Sequence, residues 1–224
     1  MGRRVGGATA AAALLLAGCT GTVGGTATWP GAVLQRALLE QSDFPAGVDY
    51  GRITEQPGQG DGGDGPGSML SRPQGCANAL TNVIKQSGEQ ANQLGPGSAA
   101  KYVVAYDGAR IVMTLLSWNL DLEALKAAAD RCAQFEAFFD PNSEGIPMTT
   151  TALPGLDDGA LAYQQTMNLR NSPSSVYMAF QNVGGRAVFG VAFPVTNPAL
   201  SAKASLPQTF LEVFRDQAQK LEAS

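Results

Sequence analysis

The three cysteines are the residues of this chain whose chemistry is easiest to assign, and Cys19 has the clearest setting. It follows a basic pair, Arg3-Arg4, an apolar stretch from Val5 to Leu16, and the small residues Ala17-Gly18. This order is typical of a cleavable signal peptide. The apolar stretch of about twelve residues is too short to span a membrane as a helix, which takes roughly twenty. We therefore expect residues 1–18 to be removed, so that Cys19 becomes the first residue of the mature protein.

The four residues from Leu16 to Cys19, LAGC, resemble the lipobox of bacterial lipoproteins. The resemblance implies that the Cys19 thiol carries a diacylglyceryl group and that the new amino terminus is often acylated as well. Two or three acyl chains hold a protein stably on a membrane, whereas one holds it only marginally. The expected location is therefore the cell membrane, with the protein anchored by lipid on the extracytoplasmic face. A plain secretory signal and a buried core cysteine are the alternatives.

Residues 19–32 are rich in Gly and Thr and show neither a helical nor a strand period. Such a composition predicts a flexible tether, which could carry sugars on its threonines or be a plain linker. The remaining residues, 33–224, are of a length that suits a single domain. We expect three parts: a signal peptide, a tether and one folded domain.

Composition excludes several classes of function. The chain has a net charge of −4, which becomes −6 once Arg3 and Arg4 are removed with the signal peptide. An acidic chain without a Lys/Arg cluster argues against nucleic acid as a partner. The sequence contains no histidine, which excludes histidine-based catalytic triads and the common zinc and iron ligand sets. We expect no catalytic residue, no metal and no cofactor.

The other two cysteines, Cys76 and Cys132, are expected to form a disulfide, because an oxidising compartment favours pairing. A bridge that closes a loop of about 57 residues would stabilise the fold by about 4 kcal/mol on the chain-entropy estimate. Both cysteines fall on predicted buried stripes of separate helices, one beginning at Cys76 and one running from Asp121 to Phe139. A reactive thiol is the alternative.

Two hairpins dominate the predicted fold. The first spans Lys101 to Trp118 around an Asp107-Gly108 turn, and the second spans Ser175 to Phe193 around Gly184-Gly185. Further strand patterns occur at 47–56, 148–154 and 160–169, and an amphipathic helix is predicted from Pro207 to Leu221. Antiparallel hairpins interleaved with helices predict an α+β fold, with a twisted antiparallel sheet and helices packed on one face.

The order of these elements resembles a known family. With LLEQSDFPAG before the first strand, CANAL opening one helix and DRCAQF in the next, most of residues 33–222 resembles the extracellular sensor domain of the mycobacterial kinase PknH. They are also similar to a set of mycobacterial envelope lipoproteins that carry such a domain without a kinase. The resemblance implies a twisted antiparallel sheet backed by helices, with a cleft that takes an envelope ligand.

A stripe of polar residues is the candidate binding site. Gln164, Thr166 and Asn168 alternate with apolar residues along one predicted strand, Arg170 continues this series, and Tyr177 and Gln181 alternate in the same way on the next strand. Period-two alternation predicts that the first set lies on the sheet face opposite the helices. These groups could hold a sugar or a head-group phosphate, although an ordinary solvated sheet face would show the same pattern.

Three functions remain open at this point. The first is a non-enzymatic, membrane-tethered envelope protein that binds a small molecule, a glycolipid or a protein through the polar stripe. The second is a lipid or glycolipid carrier whose sheet curls over an apolar cavity. The third is an enzyme that relies on carboxylates such as Asp157 and Asp158, which lie in a turn signature where local backbone hydrogen bonding is their usual role.

Overall fold

The computed structural model describes residues 30–54, 69–170 and 172–224. Cys19, the predicted signal peptide and most of the predicted tether lie outside these residues. The four helices are α1 (Pro30–Ala37), α2 (Thr81–Leu94), α3 (Leu122–Arg131) and α4 (Gln208–Glu222). The strands are β1 (Asp49–Ile53), β2 (Leu70–Arg72), β3 (Ala99–Tyr106), β4 (Ala109–Leu116), β5 (Gln134–Phe138), β6 (Ile146–Ala152), β7 (Ala160–Leu169), β8 (Ser172–Val183) and β9 (Arg186–Phe193).

All nine strands belong to one sheet, in the order β1-β3-β4-β9-β8-β7-β6-β5-β2, and every neighbouring pair is antiparallel. This confirms the predicted α+β fold with an antiparallel sheet. None of the helices within the described ranges is long and apolar enough to cross a membrane.

Both predicted hairpin turns are present. Gly108 has a φ of 112°. It also lies close to the backbone of Ala204, so that a Cβ added at Gly108 would be 2.6 Å from the Ala204 carbonyl oxygen. Gly184 and Gly185 also have positive φ angles, of 55° and 84°. Glycine adopts this left-handed region without a Cβ penalty, so the turns form where the sequence places glycine.

The helices cover both faces of the sheet. Helices α1 and α4 pack on the face that carries Tyr102, Ile111 and Ala179, which we call face A. The residues next to these in sequence point to the opposite face, face B, where Phe180 and Phe189 pack with Leu125 of α3 and with the start of α2. The prediction that the helices lie on one face is therefore wrong. Strand β9 reads as a nearly continuous apolar run because both of its faces are buried.

Helix α1 is fastened to α4 by one buried side chain. Gln217 of α4 is fully buried, and its Oε1 accepts a hydrogen bond from the Leu39 backbone N–H at 3.0 Å. Its Nε2 donates to the Ala37 carbonyl oxygen at 2.6 Å. The first described helix thus depends on a residue near the end of the chain.

The disulfide between Cys76 and Cys132 is present, with the two α-carbons 5.4 Å apart, and both cysteines are buried. They do not lie on helices as predicted: Cys76 precedes α2, and Cys132 caps the carboxyl end of α3. Helix α3 does begin after Asp121, whose Oδ1 accepts from the Ala124 N–H at 2.9 Å, as predicted.

The predicted helix from Asp121 to Phe139 is too long, since α3 ends at Arg131 and β5 follows. Phe135 is buried with the disulfide as part of a strand, while Phe139 is 68% exposed. Pairing of β5 with both β6 and β2 satisfies its backbone, and this tertiary pairing overrides the helical spacing of the apolar residues.

Candidate functional site

The candidate site is the part of face A that lies beyond α1 and α4. These helices contact β3, β8 and β9, whereas β5, β6 and β7 continue the same face outward to the sheet edge at β2. Seven side chains there are uncharged, capable of hydrogen bonding, and exposed or half-exposed, and they lie beside the charged pair Arg72 and Glu136 near the sheet edge. We call this surface the polar patch, and its members are Gln134, Thr149, Thr151, Gln164, Thr166, Ser175 and Tyr177.

The strand register arranges the patch in two rows. In the first row Gln134 pairs with Thr149, Thr149 with Thr166, and Thr166 with Ser175. In the second row Gln164 lies between Thr151 and Tyr177. Neighbouring strands are about 4.8 Å apart, so the four residues of the first row extend over roughly 14 Å. The second row lies about 7 Å away, because the two rows are separated by two residues along each strand.

Side-chain hydrogen bonds hold the middle of the patch in one arrangement. Gln164 Nε2 donates to Ser175 Oγ at 2.9 Å and to Thr166 Oγ1 at 3.3 Å. The two hydroxyl oxygens, Thr166 Oγ1 and Ser175 Oγ, are 2.9 Å apart and share a further hydrogen bond. Each hydroxyl has two lone pairs and one proton, and an amide oxygen accepts as well, so this network is ordered but not saturated.

The rim of the patch at the sheet edge is a shallow groove of about 380 Å³. It is lined by Arg72, Gln134, Glu136, Pro147 and Thr149, among others. The Arg72 guanidinium lies over the Phe138 ring, 5.4 Å from its centre, and its Nη1 is 3.9 Å from Glu136 Oε2. Both charged side chains are largely exposed, so this ion pair contributes little to stability.

The structure brings together only part of the predicted stripe. Gln164 and Thr166 lie at the centre of the patch, and Tyr177 lies at its inner edge, half-buried against the core. Asn168 is exposed near the end of β7, and Arg170 lies in the β7–β8 turn with a φ of 49°. Arg170, the cation that the sequence offers for binding a phosphate, therefore lies outside the patch.

Gln181 also lies outside the polar patch. It lies four residues along β8 from Tyr177, about 13 Å away on the strand rise, and lines a separate cavity of about 260 Å³ with Asp157, Arg186 and Glu222. Arg186 is already engaged there, since its Nη2 donates to the Leu221 carbonyl oxygen at 3.0 Å.

The predicted face of the stripe also needs correction. The stripe was expected opposite the helices, but face A is the face on which α1 and α4 pack. Polar residues are tolerated on it because the sheet is wider than these two helices. Alternation along one strand shows that two faces differ, and does not show which of them a helix covers.

Four members of the patch were not predicted: Gln134, Thr149, Thr151 and Ser175. The sequence predicts a helix at Gln134, and at Thr149 and Thr151 it predicts a strand whose neighbours it does not identify. The alternation of Thr149 and Thr151 around Thr150 was the available signal. Thr150 is buried on face B, where it accepts a hydrogen bond from Gln165 at 3.3 Å.

Two groups outside the patch have shifted pKa values. Burial raises the pKa of the core tyrosine Tyr106 to about 12, with nearby Asp216 and Glu212 adding to the effect. The Lys220 ammonium, 2.7 Å away, lowers the pKa of Asp43. No group of three or more Cys, Asp or Glu residues within the described ranges is arranged to hold a metal ion. The patch offers hydrogen-bonding groups on an accessible surface.

This architecture is an α+β fold, a nine-stranded antiparallel sheet with helices on both faces and an open polar half on face A. The chain matches no protein-family model and no curated protein sequence. It is similar to the crystal structure of an uncharacterised protein from Mycobacterium smegmatis, the Rv0999 ortholog. The TM-score is 0.45 and the identity 13%, over 86% of this chain and 95% of that chain. So distant a likeness carries no argument about function.

Proposed function

We propose that this protein is a cell-envelope lipoprotein, anchored in the membrane through Cys19, that binds an envelope ligand or partner through the polar patch without catalysing a reaction. The observation that carries the binding function is the ordered network of Gln164, Thr166 and Ser175 on an accessible sheet face. Groups that are already held in one arrangement lose less entropy when a ligand binds.

The anchoring part of the proposal is supported by the sequence LAGC at Leu16 to Cys19 and by the resemblance to mycobacterial envelope lipoproteins and to the sensor domain of PknH. The first described helix, α1, begins about a dozen residues after Cys19. A tether of this length keeps the domain close to the membrane.

A carrier of lipid or glycolipid would need an apolar cavity. The two cavities described above both include charged side chains in their lining, Arg72 and Glu136 in one and Asp157, Arg186 and Glu222 in the other. Because of these charged side chains, neither cavity favours a lipid or glycolipid carrier. The carrier function therefore stays a prediction from the sequence.

Anchoring is tested by labelling cells with an alkyne-bearing fatty acid and comparing the native chain with Cys19→Ser. We expect the native chain to incorporate the label and to fractionate with membranes, and the variant to do neither. Equal labelling and fractionation of the two would contradict lipid attachment.

Binding is tested with a photo-crosslinking amino acid placed in living cells at Thr166 or at Gln165. The two positions are neighbours on β7, but Thr166 lies on face A and Gln165 on face B. We expect adducts from Thr166 that are absent from Gln165. Adducts of the same kind and yield at both positions would show that the patch is not the binding surface.

A further inference from the structure

The chemistry of the polar patch defines the kind of ligand it fits. We propose that the patch binds a neutral polysaccharide chain that lies across strands β5 to β8. This inference rests on the proposed function and specifies the ligand of the same site.

The first argument is the hydrogen-bonding character of the patch. Its members carry hydroxyl or amide groups, which both donate and accept, and none carries a charge. Sugar hydroxyls have the same dual character, so each can pair with Thr149, Thr166 or Ser175 in either direction. The network of Gln164, Thr166 and Ser175 is already ordered, which reduces the entropy lost on binding.

The second argument is the geometry of the rows. Gln134, Thr149, Thr166 and Ser175 present one polar group per strand in a line that crosses the strands, at steps of about 4.8 Å. A polysaccharide repeats its hydroxyls along its length at a comparable spacing, one sugar unit after another. The half-buried ring of Tyr177 borders the second row and offers an apolar surface to the C–H face of a sugar ring.

The third argument concerns charge. Arg72 lines the groove beside the first row, and its guanidinium already contacts Glu136 and the Phe138 ring. The chain as a whole is acidic, so an anionic polymer is repelled at long range and finds no cationic partner within the rows. A phosphate or sulfate ligand therefore does not fit the patch, whereas a neutral one does.

An extended peptide is the competing occupant, and the sheet topology disfavours it. Peptides that join a sheet pair with a free strand edge through backbone groups. Strands β5, β6, β7 and β8 each have a partner on both sides, so their backbone groups are already used. What they offer on face A is side chains, which suits a ligand recognised through its hydroxyls.

The test is affinity electrophoresis of the full-length chain in a polyoxyethylene detergent, through native gels that contain dextran, arabinogalactan, glucomannan or dextran sulfate. We expect at least one of the three neutral polymers to retard the protein and dextran sulfate to leave its mobility unchanged. The double variant Gln164→Ala/Thr166→Ala should bind the retarding polymer about tenfold or more weakly, because at least two hydrogen bonds are lost. The matched control, Gln165→Ala, changes the adjacent residue on face B and should bind within about twofold of the native chain.

Thermal unfolding of the three proteins separates lost binding from lost folding, and Thr149→Ala on an exposed position serves if the double variant is unstable. The inference is overturned if none of the three neutral polymers retards the protein, if dextran sulfate retards it as strongly, or if the patch variants bind as well as Gln165→Ala. If the polymers fail while crosslinking from Thr166 remains specific, the binding function stands and its ligand is of another class. If both fail, the proposed function falls as well.

Discussion

Replacement of Gln217 tests how α1 is held on the sheet. In Gln217→Met a chain of similar length fills the same space, but the Leu39 N–H and the Ala37 carbonyl oxygen lose their partners in a buried site. Leaving a buried backbone group unpaired costs about 1–3 kcal/mol, so two such groups cost about 2–6 kcal/mol in free energy of unfolding. That is a large fraction of the stability of a domain, which is about 5–15 kcal/mol.

The measurement is urea unfolding followed by circular dichroism, together with hydrogen exchange of the α1 amides. We expect a lower midpoint for Gln217→Met and faster exchange between Pro30 and Leu39. The control is Gln219→Met, two residues further along α4 and exposed, which should change the stability by less than about 0.5 kcal/mol. If Gln217→Met unfolds within that same margin of the native chain, the bridge between α1 and α4 is not what holds the helix, and the reasoning is refuted.

Three further changes follow from the same structure. Tyr102→Phe removes a buried hydroxyl that has no hydrogen-bond partner among the described residues, and we expect calorimetry to show equal or higher stability, by up to about 1 kcal/mol; a clear loss would mean that the hydroxyl is paired. Replacing Cys76 and Cys132 by alanine opens a loop with a sequence separation of 56 and should lower the unfolding free energy by about 4 kcal/mol, as measured in denaturant. Lys220→Met should remove the main cause of the lowered pKa of Asp43. In the native chain this ion pair stabilises the fold at pH values above the ordinary carboxyl pKa. That stability is lost as the pH falls through the lowered pKa of Asp43. The difference between native and variant, below about 1 kcal/mol for partly exposed groups, should therefore be present at pH 7 and disappear at acid pH.

The candidate site shows how far the sequence could predict a surface. Gln164 and Thr166 were identified from alternation along β7, because a strand of ten residues displays its period without knowledge of its neighbours. Thr149 and Gln134 complete the first row, but they come from β6 and β5, and their contribution depends on register. Gln181 lies on the same face of β8 as Tyr177, but it lines a separate cavity because it is four residues further along the strand. Alternation identifies the face of a residue and not its distance from the other residues on that face.

The sequence by itself determined the features that depend on a few neighbouring residues. These are the two turns at Asp107-Gly108 and Gly184-Gly185, where backbone angles require glycine, the cap of α3 at Asp121, and the amphipathic helix α4. Only the tertiary structure decided which face each helix covers, why the residues after Arg131 form β5, and how four strands bring uncharged side chains into rows. The physical reason is that a period reports the alternation of faces within one element, whereas strand order and register arise from backbone pairing and burial between elements far apart in the chain.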